Sequence, residues 1–145
     1  MVKLRISVEI RDKEVIKKLN DLKKATSDLR PAFRDTAVYM KTSVLKNFEV
    51  EGRPKKWAPL SPKYAAWKRK KGYSTKILER TGRLKQSINV SYTNKEARVY
   101  TGVKYGAYLH KGTRKMPARP FMLIQDEDVP RIVDIFDRHI KKVIG

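Results

Sequence analysis

Cysteine is absent from this chain. That excludes disulfides and thiolate metal sites and fits folding in a reducing cytoplasm. Long apolar runs are missing too, so no transmembrane helix and no membrane role are expected. The first residues, MVKLRISVEI, alternate apolar with polar side chains and lack the continuous apolar centre of a signal peptide. Histidine occurs twice, at His110 and His139, far apart and outside any metal-spaced motif. Gly102, Gly106 and Gly112 are not spaced as a phosphate loop. The segment TGRLKQS at 81–87 pairs no nucleophile with a base. Asp126-Glu127-Asp128 could ligate a metal, but three carboxylates at a helix start more commonly serve the helix dipole. No enzymatic activity and no cofactor are therefore expected.

Negative charge is also scarce. Asp and Glu number 15 against 35 Lys and Arg, a formal net charge of +20. Such an excess points to an anionic partner, either a nucleic acid or an acidic protein surface. The bland alternative is a lysine-rich solvated surface.

What is present is enough to build a core: 40% hydrophobic and 9% aromatic residues in 145, a length that suits one domain spanning 1–145. Val2, Leu4, Ile6, Val8 and Ile10 occupy alternate positions, as in a half-buried strand. Val15, Ile16, Leu19 and Leu22 recur at helical spacing behind Asp12. Pro31 suits the first turn of a second helix, with Asp28 as cap and Phe33, Ala37, Met40 and Val44 as its apolar stripe. That helix should run to about Phe48 and end at Gly52 and Pro54.

The stretch RPKKWAPLSPKYAAWKRKKG, 53–72, holds both tryptophans, three prolines and a crowd of lysines. Ser61-Pro62 predicts a capped short helix, with Tyr64 and Trp67 on one face and Lys68-Arg69-Lys70-Lys71 at its C-terminal end. Gly72 should stop it. Residues 52–76 are accordingly expected to form an extended basic arm. Further on, Thr81 is a candidate cap, and Leu84 and Ile88 share a helical face. Residues 89–93 and 97–103 predict a β-hairpin around the turn Thr93-Asn94-Lys95-Glu96. Phe121 to Ile124 reads as a last short strand. Ile132, Val133, Phe136, His139, Ile140 and Val143 keep helical period to the end. The expected fold is α+β: a small, mostly antiparallel sheet against two long helices and a C-terminal helix.

Four ordered pieces carry a resemblance: EGRPKKWAPLSPKYAAWK at 51–68, ILERTGRLKQSI at 77–88, YGAYLHKGT at 105–113 and MPARPFM at 116–122. In this order they resemble the virion-morphogenesis, or tail-completion, proteins of tailed bacteriophages and Mu-like prophages. One departure is Lys111, which stands where that family commonly has glutamine. The resemblance implies a non-enzymatic structural protein at the head–tail junction or tail terminus. It implies assembly as a homo-oligomeric ring with other tail or neck proteins, formed in the host cytoplasm and retained in the virion. Interfaces favour exposed aromatic and arginine side chains. Candidate contact residues are therefore Trp57, Tyr64, Trp67, Lys68, Arg69, Lys70, Lys71, His110, Arg119 and Phe121. Arg119, between Ala118 and Pro120, is expected to point outward, and Phe121 inward. The positive surface would meet an acidic partner or DNA passing through a ring lumen. A different class of function is also open: a basic nucleic-acid-binding protein, in which the lysine run tracks phosphates while Tyr64, Trp67 and Tyr73 stack bases.

Overall fold

The computed structural model describes residues 3–6, 13, 16, 17, 20, 21 and 29–144. Lys3–Ile6 forms strand β1, within the predicted alternating run; Val2, Val8 and Ile10 lie outside the described residues. Positions 13, 16, 17, 20 and 21 are helical, in line with the expected first helix. All five are exposed, including Ile16 of its expected apolar stripe; the stripe's other members, and the cap candidate Asp28, lie outside the described residues.

Helix α1, Arg30–Glu49, is the centre of the structure. Pro31 sits in its first turn, where no intrahelical N–H is required. Its buried face runs through Ala32, Phe33, Thr36, Ala37, Met40, Ser43, Val44, Asn47 and Phe48. This is the expected stripe, widened by polar residues that matter below. The chain leaves α1 through Gly52, whose φ is +112°; a Cβ there would lie 2.6 Å from the Trp57 backbone nitrogen. Any other residue at 52 would push the following loop away.

Helix α2, Pro62–Lys71, begins as predicted: the Ser61 hydroxyl accepts a hydrogen bond from the Tyr64 N–H, and Gly72 ends the helix in the left-handed conformation. A single turn, α3, spans Arg83–Gln86. Its N-cap is Gly82 rather than Thr81, whose hydroxyl only accepts a long 3.4 Å bond from the Arg83 N–H. Strands β2, Ile88–Tyr92, and β3, Ala97–Thr101, form the expected hairpin. At its turn the Thr93 hydroxyl accepts from the N–H groups of Lys95 and Glu96.

The three strands form an antiparallel sheet in the order β1-β3-β2, with Leu4 opposite Val99 and Val90 opposite Val99 from the other side. Ala97, Val99 and Thr101 of β3 are buried alternately, as the two-residue period requires. The sheet packs on α1. Helix α4, Tyr105–Lys111, follows β3. The last helix, α5, Asp128–Ile144, lies against α1, where Phe33 and Phe136 meet edge to face with centroids 5.0 Å apart. Ile132 and Phe136 face inward, but Val133 of the expected stripe is 54% exposed. The inward row is Asp128, Ile132 and Phe136, four residues apart, and Val133 stands one step round the helix from it.

Phe121 to Ile124 is not a strand. Pro120 has no N–H to give to a ladder, and the Phe121 carbonyl is taken by the Asn47 side-chain amide at 2.7 Å. The segment is a strap instead, with Phe121 and Met122 buried, Leu123 half-buried and Ile124 exposed.

Candidate assembly site

The pieces that carry the resemblance meet at this strap. Residues 119, 120 and 121 are each tied to a distant part of the chain. The Arg119 guanidinium donates through Nε to the Ala58 carbonyl at 2.9 Å and through Nη2 to the Pro59 carbonyl at 3.1 Å. The Trp57 indole N–H donates to the Pro120 carbonyl at 2.8 Å. The Arg119 N–H donates to the Leu109 carbonyl, which fastens the strap to α4. Gly112 makes that approach possible: its φ is +79°, and a Cβ would come within 2.6 Å of the Ala118 nitrogen.

Of the candidate contact residues at the strap and beside it, Arg119, Trp57 and Phe121 are interior. Arg119 is 7% exposed, so the expectation that it points outward is overturned. Pro120 does stiffen the backbone, but the guanidinium turns in because two carbonyls left by the 58–59 segment need donors. Burial pulls its pKa below the ordinary arginine value. Trp57 is buried against Phe48, edge to face at 5.7 Å. Phe121 is fully buried between Phe48 and His110. His110 is half-buried and accepts at Nδ1 from the Met122 N–H at 3.4 Å. Burial, and secondarily the charge of Lys111, pushes its pKa below 6.5. Its ring is thus neutral near neutral pH, as an acceptor at Nδ1 requires.

Helix α2 carries the other candidates. Tyr64 and Trp67 stack at 5.7 Å with 19° between their planes, and Tyr73 closes on Trp67 at 5.5 Å. All three rings stay more than a third exposed. Arg69, Lys70 and Lys71 are exposed, but Lys68 is only 1% exposed. Its ammonium lies under the Tyr64 ring and donates to the Lys76 carbonyl at 2.8 Å. Burial lowers its pKa. Lys68 therefore pins the returning 73–77 segment to α2 and is withdrawn from the basic run.

Between α2, the 78–84 turn, α4 and the strap lies a groove of about 690 Å³. Leu60, Leu78, Leu84, Leu109 and Met116 give it apolar walls. Lys68, Arg80, Arg83, Lys115 and Arg119 line it as well, and no carboxylate does. Glu79 faces the adjoining cleft instead, where Lys85 holds it at 3.0 Å.

A second polar cluster was not foreseen. Asp128 is buried and accepts three hydrogen bonds: from the Tyr39 hydroxyl and the Ser43 hydroxyl, each 2.8 Å, and from the Gln125 N–H at 2.9 Å. Arg53 donates to the Ser43 carbonyl and hydroxyl, to Asn47 at 2.9 Å and to Glu127. Gln125 returns a bond to the Arg53 carbonyl. This clasp locks the loop after α1 and the start of α5 onto one face of α1. The sequence signal was the arginine in EGRP, read only as part of a basic stretch. Asp126 and Glu127 are exposed while Asp128 turns inward, and no group of His, Asp and Glu suited to a metal occurs among the described residues. His139 is half-buried, with Nε2 unpartnered among the described residues.

The clasp has a pH signature. Burial first, then the hydrogen bond and charge of Asp128, push the Tyr39 pKa from 10 up to about 12. The fold thus favours the neutral phenol. That stabilisation is fully present below pH 10 and is lost as the pH rises from about 10 to about 12. The free energy of unfolding, followed by circular dichroism across this window, should fall more steeply for the wild type than for Tyr39→Phe. Parallel slopes would remove Tyr39 as the responsible group.

Comparison with known proteins bears on the resemblance. The model of the phage virion morphogenesis family matches residues 10–141. The Mu-like prophage FluMu G protein 2 of Haemophilus influenzae is 31% identical over 147 residues, covering 96% of this chain and 99% of that protein. The FluMu G protein 1 of the same organism is 31% identical over 120 residues, covering 80% of this chain and 82% of its own length. No solved structure matches this chain at a significant level. With a family match over most of its length and a relative aligned nearly end to end, this chain belongs to the phage virion morphogenesis family.

Proposed function

We propose that this protein is a non-enzymatic structural component of a phage or prophage particle. It acts in tail completion or head–tail joining, assembles as a ring with other tail or neck proteins in the host cytoplasm, and stays in the virion. One observation carries the reading. The ordered pieces that carry the resemblance build one hydrogen-bonded scaffold, with Arg119, Trp57 and Phe121 spent on holding it together and a basic groove left at its surface. Stiff, pre-ordered surfaces suit an assembly protein, because less freedom is lost on binding. Deleting the gene from an inducible prophage that carries it tests the role. The expected lysate holds heads and tails that are unjoined or end abnormally under the electron microscope. Normal infectious particles would refute it.

DNA contact has its own support: Arg69, Lys70 and Lys71 are exposed beside the Tyr64–Trp67–Tyr73 stack. Those rings already spend faces on one another, which leaves less for bases. A mobility-shift titration with duplex and single-stranded DNA across salt separates the two functions. Tight, steeply salt-dependent binding by the isolated monomer would favour nucleic-acid binding.

A further inference from the structure

The chain's scarce acids are not spread evenly. Five of the 15 fall within 126–137, where the only cation is Arg131. Asp128 is used internally, but Asp126, Glu127, Asp134 and Asp137 are exposed. Between them on α5 stand Val129 and Val133, 52% and 54% exposed. Val129, Val133 and Asp137 are spaced by four, so they share one stripe of the helix, with Asp126 just before its first turn. The described surface thus offers one ridge that is apolar and acidic, on a chain whose net charge is +20.

The groove is its complement. It has apolar walls, carries Arg80, Arg83 and Lys115 besides the internally bonded Lys68 and Arg119, and has no carboxylate; no residue of α5 lines it. Resting on the ring assembly proposed above, we infer that the groove of one copy receives the acidic ridge of α5 from a second copy. Val129 and Val133 enter between Leu60, Leu78 and Met116, while Asp134 and Asp137 face Arg80, Arg83 and Lys115. The two surfaces are different patches of the same chain, so the contact is head-to-tail. Such a contact propagates and closes into a ring when its rotation allows. Asp134 and Asp137 already pair with Arg138 and Lys141, four residues on. Those pairs are exposed and weak, so exchanging them for groove cations costs little. Overall repulsion between +20 chains opposes approach at low salt; at about 0.3 M it is screened beyond a few ångströms, and the short-range fit remains.

The absence of native cysteine makes the test clean. Lys115→Cys and Val133→Cys are placed in one chain, concentrated in 0.3 M salt and oxidised. A ladder of dimers, trimers and higher species should appear on a non-reducing gel. A mixture of the two single variants should stop at the dimer, because each chain then has one thiol. Adding Arg83→Glu should reduce the ladder about tenfold, and adding Asp137→Arg to that chain should restore most of it. Three results would overturn the proposal: Val133→Cys alone dimerising as well as the mixture, a ladder no stronger than that of the exposed control pair Lys95→Cys with Val133→Cys, or no ladder at all. A missing ladder beside a deletion phage that still makes unjoined particles would remove this interface and leave the assembly role standing. Failure of Arg83→Glu to complement that phage, with no ladder in the wild-type pair, would assign the groove to another protein.

Discussion

Phe121→Ala should lower the folding free energy by about 3–5 kcal/mol, the range for deleting a large buried aromatic. For a chain of this length that is a fall of roughly 10 °C or more in melting temperature. The ring is fully buried and touches two distant parts of the chain: Phe48 of α1 at 5.5 Å, and α4 through His110 at 5.4 Å and through Gly106, where an added Cβ would approach the ring tip at 3.5 Å. Its removal opens a cavity that the stiff strap cannot collapse into, because the Phe121 carbonyl is held by Asn47 and the preceding carbonyl by Trp57. Loss of assembly should follow from unfolding. Phe121→Leu, which refills part of the volume, should recover both the melting temperature and the particle titre. A stable Phe121→Ala protein that fails only in assembly would instead place this ring at an interface.

The periodic parts of this fold were legible because their side chains report their own surroundings. Phe33, Ala37, Met40 and Val44 repeat at helical spacing and are all buried. Ser61-Pro62 and Gly72 fix α2 by local chemistry alone, and the 93–96 turn follows from its polar residues. What escaped were polar side chains whose partners lie far along the chain. Lys68 looks like one more lysine in a basic run; only the return of the 73–77 segment gives it a carbonyl and a roof. Arg119 is spaced some 60 residues from its acceptors. Asp128 stands in an acidic trio whose other two members remain in solvent, and its donors Tyr39 and Ser43 belong to α1. A hydrophobic period states which face is inside, but nothing local states which cation or carboxylate will find a buried partner.

Arg119→Ala should be a stability mutation, with a loss of about 2–4 kcal/mol. The side chain donates two charge-assisted hydrogen bonds to backbone carbonyls, and each such bond is worth roughly 1.5–3 kcal/mol net. Removing it leaves the Ala58 and Pro59 carbonyls short of donors and strips the packing of its buried stem. Water entering from the groove, which Arg119 lines, offsets part of this, but the loss should stay well above the roughly 0.5 kcal/mol typical of benign surface changes. Arg119→Lys retains a charge but has no planar fork; it can reach one carbonyl and should recover about half of the lost stability. The proline-rich 58–60 segment forms one wall of the groove, so its release should also reduce the head-to-tail contact inferred above. Melting temperature and particle titre should then fall together across Arg119, Arg119→Lys and Arg119→Ala. An Arg119→Ala protein with an unchanged melting temperature and no infectious particles would show that the guanidinium serves a partner, and that its bonds to Ala58 and Pro59 are dispensable to the fold.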